Sequence, residues 1–216
     1  MKLYTTENKL LYVSDSETDT VKQALEQAVV KRINLRNINL EGADLSGAYL
    51  PGAHMQYANL EGADLSGAQL FLTWMEYARL INAVCIGTDF TNAKLIEADC
   101  TGAEFRNVKL NYANCTDANF TNARLIDTTC ELAFFIRVKF TNSDCTGTDF
   151  TNTIIEDTDC TLEVFDWAKF INSDYARASF SRARFVHIDC TKRYSTDVTL
   201  EDTDSKDCNF ICSTRG

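Results

Sequence analysis

The chain has 216 residues, 45% hydrophobic and 24% charged, with one Pro and nine Gly, enough for a single domain with a full core and unlike low-complexity or disordered sequence. Its formal charge is -10, from 31 Asp and Glu against 21 Lys and Arg, a balance that disfavours phosphate backbones unless the bases are segregated. The N-terminal MKLYTTENKLLYV has no apolar h-region and no apolar run reaches the roughly 18 residues of a membrane span, so a cytoplasmic protein without membrane or direct nucleic-acid binding is expected.

Residues 1–32 read as an N-terminal hairpin and a capping helix. KLYTTENKLLYV can turn at Glu7 and Asn8. In TVKQALEQAVVKR, Val21, Leu25, Ala28 and Val29 share one helical face. Thr20 with Gln23 fits a capping box, and Lys31 and Arg32 suit a helix C-terminus. A helix over about 20–31 is expected to lie across the start of the next segment.

From residue 33 to 210 the sequence repeats every five residues. Counting from Leu35, the fifth residues are Leu, Met, Cys, Phe, Ile or Tyr through Cys190, and only Ser195 and Ser205 break the series before Phe210. That makes 36 pentads without insertion or deletion. A second row, two residues earlier, is small: Ala43, Ala48, Ala53, Ala58 and later Ser143, Thr148 and Thr158. The other three positions are mostly polar. A period of five fits neither a helix nor a strand. It describes a chain that turns a corner every five residues, with one large and one small side chain per side filling a narrow interior.

These residues resemble the pentapeptide-repeat family, whose pattern reads A-[DN]-[LF]-x-x. GADLSGAYL and ANLEGADLSGAQL carry it directly, and the resemblance spans about 178 of 216 residues. It implies an all-β solenoid: a right-handed quadrilateral β-helix with four pentads, or 20 residues, per coil. EGADLSGA at 41–48 recurs unchanged at 61–68, a spacing of 20. Thirty-six pentads then give about nine coils, a rod ~43 Å long at the β spacing of ~4.8 Å.

From Cys85 the large inner residues cycle as Cys, Phe, Leu, a period of 15 over a coil of 20. Cys85 is expected under Phe105, Phe105 under Leu125 and Leu125 under Cys145, which evens out interior volume. Six of the nine cysteines, Cys85 to Cys160, follow this spacing and read as small core residues. The odd count points to reduced thiols. Cys212 lies past the last pentad and could react. Residues 211–216 form a tail with no helix like the first, so that end is either bare or covered by a second copy in a homodimer.

No constellation for catalysis, metal or cofactor binding is found around His54 or His187. The reading is a non-enzymatic scaffold that binds a protein. A register of 20 stacks His54 with Trp74 and Tyr57 with Tyr77, with Phe71 on the preceding face. Rigid outward aromatics make this cluster the candidate partner site, unless the N-terminal segment packs over it.

The alternative comes from the resemblance. Some family members protect DNA gyrase from quinolones and imitate duplex DNA as acidic rods. Those relatives carry register-breaking loops and a C-terminal dimerisation helix, both missing here. Charge is also banded. Residues 140–168 hold Asp144, Asp149, Glu156, Asp157, Asp159, Glu163 and Asp166 with no base, whereas 169–193 are rich in Lys and Arg. Arg79, Lys94, Lys109, Arg124 and Lys139 recur every 15 residues, on successive faces. The acidic and basic bands form a second candidate surface, working by electrostatic steering.

Overall fold

The computed structural model describes residues 1–191, 197–206 and 209–211. The fold is a β-solenoid with 20 residues per coil. Backbone bonds link each coil to the next in parallel: Leu45 N–H donates to the Asp64 carbonyl at 2.8 Å, and Asp64 N–H to the Ala43 carbonyl at 3.0 Å. Pairing between residues 20 apart runs from Asn39 with Asn59 to Ser179 with Thr199. It continues where β3 (Arg184–Val186) pairs β5 (Asp204–Lys206) and β4 (Asp189–Thr191) pairs β6 (Asn209–Ile211). Four columns of outward residues define the faces. They start at Asn39, Asp44, Tyr49 and His54 and are called the first to fourth faces.

The corners explain the period. In most pentads the large inner carbonyl accepts from the N–H three residues on, as from Ala48 N–H to Leu45 at 3.0 Å. The third residue of that turn has a positive φ at every described position, from Arg32 (54°) through Gly47 (64°) to Asp202 (53°). A turn of type II requires this, and Gly, Asn and Asp meet the requirement most easily. Those three residues fill most of the row, yet Tyr57, Leu72, Tyr77, Arg137 and Trp167 also adopt it. Their local preference is overridden by the ladder on both sides of the corner. Gly102 has a second reason to be Gly: a Cβ there would lie 2.4 Å from Asn82 Oδ1.

The residue before the large inner one is outward and often Asp or Asn. Its carboxylate or amide oxygen accepts from the backbone two residues on, as from Ser46 N–H to Asp44 at 3.0 Å and from Thr101 N–H to Asp99 at 3.1 Å. The side chain thereby holds the corner it precedes.

Both inner rows are buried from Leu45 to Ile188. The 15-on-20 arithmetic turns like residues into a staircase. Phe90, Phe105 and Phe120 follow one another at ring separations of 6.0 and 5.4 Å, and the series climbs through Phe135, Phe150 and Phe165 to Phe180. Cys85 to Cys160 are free and buried, and burial raises all six thiols well above their ordinary pKa. Cys212 lies outside the described residues. Where the small row carries Thr, the hydroxyl commonly donates to the carbonyl of a large inner residue on the coil below, as Thr128 to Phe105 at 2.6 Å and Thr153 to Cys130 at 2.8 Å. These buried hydroxyls are thereby satisfied.

One inner residue departs from the rule. Glu163 stands in the small row, 1% exposed. Its carboxyl accepts from Ser143 N–H at 3.0 Å and lies 2.7 and 2.8 Å from Ser143 Oγ, with Cys145 Sγ at 3.5 Å. Burial pushes its pKa up to about 8, against the pull of the Ser143 bonds. Counting Glu163 among the surface acids of 140–168 is therefore wrong. Sequence position placed it in the row, but its charge argued for the outside.

At the N-terminal end, β1 (Lys2–Tyr4) and β2 (Leu10–Val13) form an antiparallel hairpin with Asn8 in the left-handed region (64°). Asn39 N–H donates to the Tyr4 carbonyl at 2.9 Å, and Thr6 N–H to Asn37 at 2.8 Å. Helix α1 (Val21–Val30) starts in a capping box formed by Thr20 and Gln23. It buries Ala24, Leu25 and Ala28 in the same core as Leu35 and Ile38. Glu26 accepts from Tyr49 N–H at 2.9 Å. Hairpin and helix thus occupy edge groups that would otherwise pair with another strand. Lys31 serves as C-cap and pairs with Asp15 at 2.6 Å. At the other end Leu200, a large inner residue, is 49% exposed. A dimer through that end would involve residues outside the described set.

The core makes two measurable demands. Phe105→Ala is expected to lose about 3–5 kcal/mol in urea unfolding, from lost transfer energy and a cavity; a near-neutral result would refute the inward register. Glu163 keeps its proton to about pH 8 when folded and loses it near 4.5 when unfolded. Its contribution is complete below 4.5 and declines as pH rises to about 8. Glu163→Gln is therefore expected to gain on the wild type by at most ~1.4 kcal/mol per pH unit across that interval, read as the difference between their thermal unfolding curves.

Candidate protein-binding surface

Outward side chains 20 apart in sequence meet at coil spacing, so each column of the rod is a ladder. On the fourth face the His54 and Trp74 rings stack at 4.9 Å and 7°. Lys94, next in the column, puts its Nζ 3.7 Å from the Trp74 ring centre. At the adjoining corner Tyr57 and Tyr77 stack at 4.7 Å and 8°, with the Arg36 guanidinium 4.5 Å from the Tyr57 ring. The Tyr77 hydroxyl bonds the Glu97 carboxylate, which raises the tyrosine pKa. Phe71 meets Tyr49 edge-on at 6.1 Å.

The N-terminal segment leaves the cluster open. Tyr57 and Trp74 are each 39% exposed and Tyr77 is 40% exposed. Beside His54, the end of α1 and Pro51 border a cleft of about 500 Å³ lined also by Val29, Arg32 and Ile33. Two cations that cap the stacks, Arg36 and Lys94, were missed from the sequence. The same count of 20 finds Lys94 above Trp74. Arg36, by contrast, reaches Tyr57 across one coil and one position, which the count does not give.

The charge bands do not survive folding. A coil is 20 residues, so 149–166 lies beside 169–186, and acids meet bases. Asp149 pairs with Lys169 at 3.3 Å, Asp157 with Arg177 at 2.6 Å, and Asp166 with Arg184 at 3.0 Å; Glu156 also binds Arg177. Lower on the rod Asp117 takes two bonds from Arg137 at 2.7 and 2.5 Å, Glu61 pairs with Arg79 at 2.6 Å, and Asp89 with Lys109 at 3.4 Å. The arginine bonds hold the Asp117 and Asp157 carboxyls below the usual range. Exposed pairs of this kind contribute little to stability, but among the described residues of 140–191 they interleave acids with bases on neighbouring coils.

The apolar residues are distributed differently. Leu72, Trp74, Tyr112, Leu132 and Phe134 are all exposed and all lie on the fourth face or its leading corner, with Tyr57 and Tyr77 at its trailing corner. Tyr49, Ile86, Leu162 and Trp167 are exposed on the other sides without forming such a strip. Lys94, Glu131 and Asp174 are the only acids or strong bases of the fourth face, among residues 51–54 and their equivalents up to 171–174. On the first face the central column alone has Arg79, Asp99, Lys139 and Asp159.

A five-residue corner, two buried rows and a 20-residue parallel ladder define a quadrilateral β-helix. The chain belongs to the pentapeptide-repeat family: the model of pentapeptide repeats matches residues 31–70, 75–111, 98–129 and 113–157, with eight copies. Among solved structures it is similar to a trypsin-treated variant of QnrB1, a plasmid-mediated fluoroquinolone resistance protein, at 16% identity and a TM-score of 0.61, over 77% of this chain and 85% of that one. It is also similar to HetL, a pentapeptide repeat protein involved in heterocyst differentiation regulation from the cyanobacterium Nostoc sp. strain PCC 7120, at 21% identity and a TM-score of 0.40, over 88% and 94%. No curated protein matches it in sequence. Among the described residues no helix is long and apolar enough to cross a membrane, and no group of three His, Cys, Asp or Glu could hold a metal.

If Tyr57 and Tyr77 form a working stack, Tyr77→Ala is expected to blue-shift and weaken the near-ultraviolet circular dichroism while the far-ultraviolet spectrum stays unchanged. An unaltered near-ultraviolet spectrum would mean that the rings do not interact in solution.

Proposed function

We propose that this protein is a non-enzymatic scaffold that binds another protein through its fourth face, with His54, Tyr57, Phe71, Trp74 and Tyr77 as the centre of the contact. The observation that carries this reading is the gathering of exposed aromatics on and beside the one face with few charges. Its backbone groups are already paired within the rod, so a partner must be held by side chains. Large rigid aromatics lose little entropy on binding and dominate interface energies.

A second reading is favoured by the charge of -10 and by the fold shared with QnrB1: an acidic rod that binds or protects DNA gyrase in place of DNA. The ion pairs between coils count against it, because they interrupt any run of carboxylates.

One assay separates the two. Purified protein in a DNA gyrase supercoiling reaction, with and without a quinolone, is expected to have no effect at micromolar concentration. Inhibition or protection there would put the gyrase reading first. In affinity capture from cell extract, Trp74→Ala is expected to weaken retention of a specific protein at least tenfold with the thermal stability unchanged. Equal retention would remove the aromatic cluster from the proposal.

A further inference from the structure

The fourth face is self-complementary when one copy is laid on another head to tail. Its central column reads His54, Trp74, Lys94, Asn114, then Phe134, Ile154 and Asp174, each paired through the ladder with the next. A two-fold axis across the rod at Asn114 reverses the order of coils and keeps position across the face. His54 then opposes Asp174, Trp74 opposes Ile154, and Lys94 opposes Phe134. Asn114 meets its own twin. The sole acid of the column falls on its one histidine. Its one lysine falls on an aromatic ring, the kind of neighbour that it already has in Trp74 at 3.7 Å. The leading corner column behaves alike: Leu132 opposes Asn92 and Tyr112 opposes itself. At the trailing corner Glu97 opposes Arg137 and Asp117 faces its own twin, each Asp117 already neutralised by two bonds from its own Arg137.

A parallel arrangement, with the axis along the rod, would instead set Lys94 on Lys94 and Asp174 on Asp174. The first face is a weaker candidate under the antiparallel operation. An axis at Asn119 would match Arg79 with Asp159 and Asp99 with Lys139 in its central column, but that column has no apolar side chain to bury between the copies. Arg79 is also already engaged with Glu61. Moving such paired charges out of water costs desolvation that their attraction does not reliably return.

We propose that the partner fitted to the fourth face is a second copy of this chain, docked antiparallel about Asn114. This rests on the reading of that face as a protein-binding surface and names its occupant. Seven coils at ~4.8 Å give a contact ~30 Å long and only a few residues wide, at the small end of specific interfaces. Association is therefore weak, with dimers forming on the order of tens of micromolar.

The test is site-directed disulfide formation in the full chain, with Cys190, Cys208 and Cys212 replaced by Ser. The other six cysteines are buried with raised thiol pKa values and remain silent. Asn114→Cys is expected to give a covalent dimer on mild oxidation, because the two positions coincide. Lys94→Cys alone is expected to give at least tenfold less, since its twin lies two coils away, ~10 Å, beyond disulfide reach. Mixing Lys94→Cys with Phe134→Cys is expected to restore the cross-link. Sedimentation of the uncross-linked protein at roughly 10–200 µM, a window set by the expected affinity, is expected to show a concentration-dependent dimer. A monomer throughout, or equal cross-linking at Asn114 and Lys94, would overturn the proposal. So would a dimer that sediments but does not cross-link at Asn114, since that outcome places the contact at another surface, such as the first face or the C-terminal end. None of these failures touches capture of a foreign protein by Trp74, which the affinity experiment decides separately.

Discussion

Everything in this molecule depends on one backbone constraint: the third residue of each corner must sit at positive φ. With that residue at 53–69°, the chain is ready to turn again five residues on, and four such corners return it over its own start. The 20-residue ladder, the two buried rows and the stacking of outward side chains all derive from it. The constraint is met at Tyr, Leu, Arg and Trp as well as at Gly and Asn. Left-handed backbone at a bulky residue costs roughly 1–2 kcal/mol, and the neighbouring coils over-determine the conformation. Cooperativity between coils, not local preference, keeps these corners shaped.

The repeat made the fold legible. Period five, the small row and the recurrence at 20 led to the solenoid, to the Cys, Phe, Leu columns and to the stacking of His54 on Trp74. Thr20 and Gln23 announced the capping box. Three features were hidden for physical reasons. Glu163 was hidden because a carboxyl reads as surface, and only Ser143 one coil below explains how it is tolerated inside. The charge bands looked like surfaces because adjacency in sequence was read as adjacency in space, whereas in a coil of 20 the neighbour of Asp157 is Arg177. The left-handed row was visible as Gly, Asn and Asp at one position of many pentads but blurred by residues such as Tyr57 and Leu132.

The candidate site shows the same division. The aromatic stacks were countable from the sequence. Their surroundings were not: the cation over each stack, the extension of apolar residues to Phe134, and the near absence of charge on that face emerge only when outward residues are sorted by column. Ion pairs claim much of the other faces and bond the coils to each other. The fourth face is left with few charges to pair, so its side chains are the ones available to a visitor. A rigid rod with one such face is suited to presenting a fixed line of contacts, not to closing around a small molecule.

The coil length also decides how this protein can change over generations. Removing or adding 20 residues shortens or lengthens the rod and leaves every column on its face. Removing five rotates the remainder of the rod by a quarter turn. Lost between Trp74 and Phe134, the five would carry Phe134 to another face and cut the aromatic strip in two; lost between Asp157 and Arg177, they would part that pair, while each pentad still folded well. Natural variation in length should therefore come in whole coils wherever a surface is under selection.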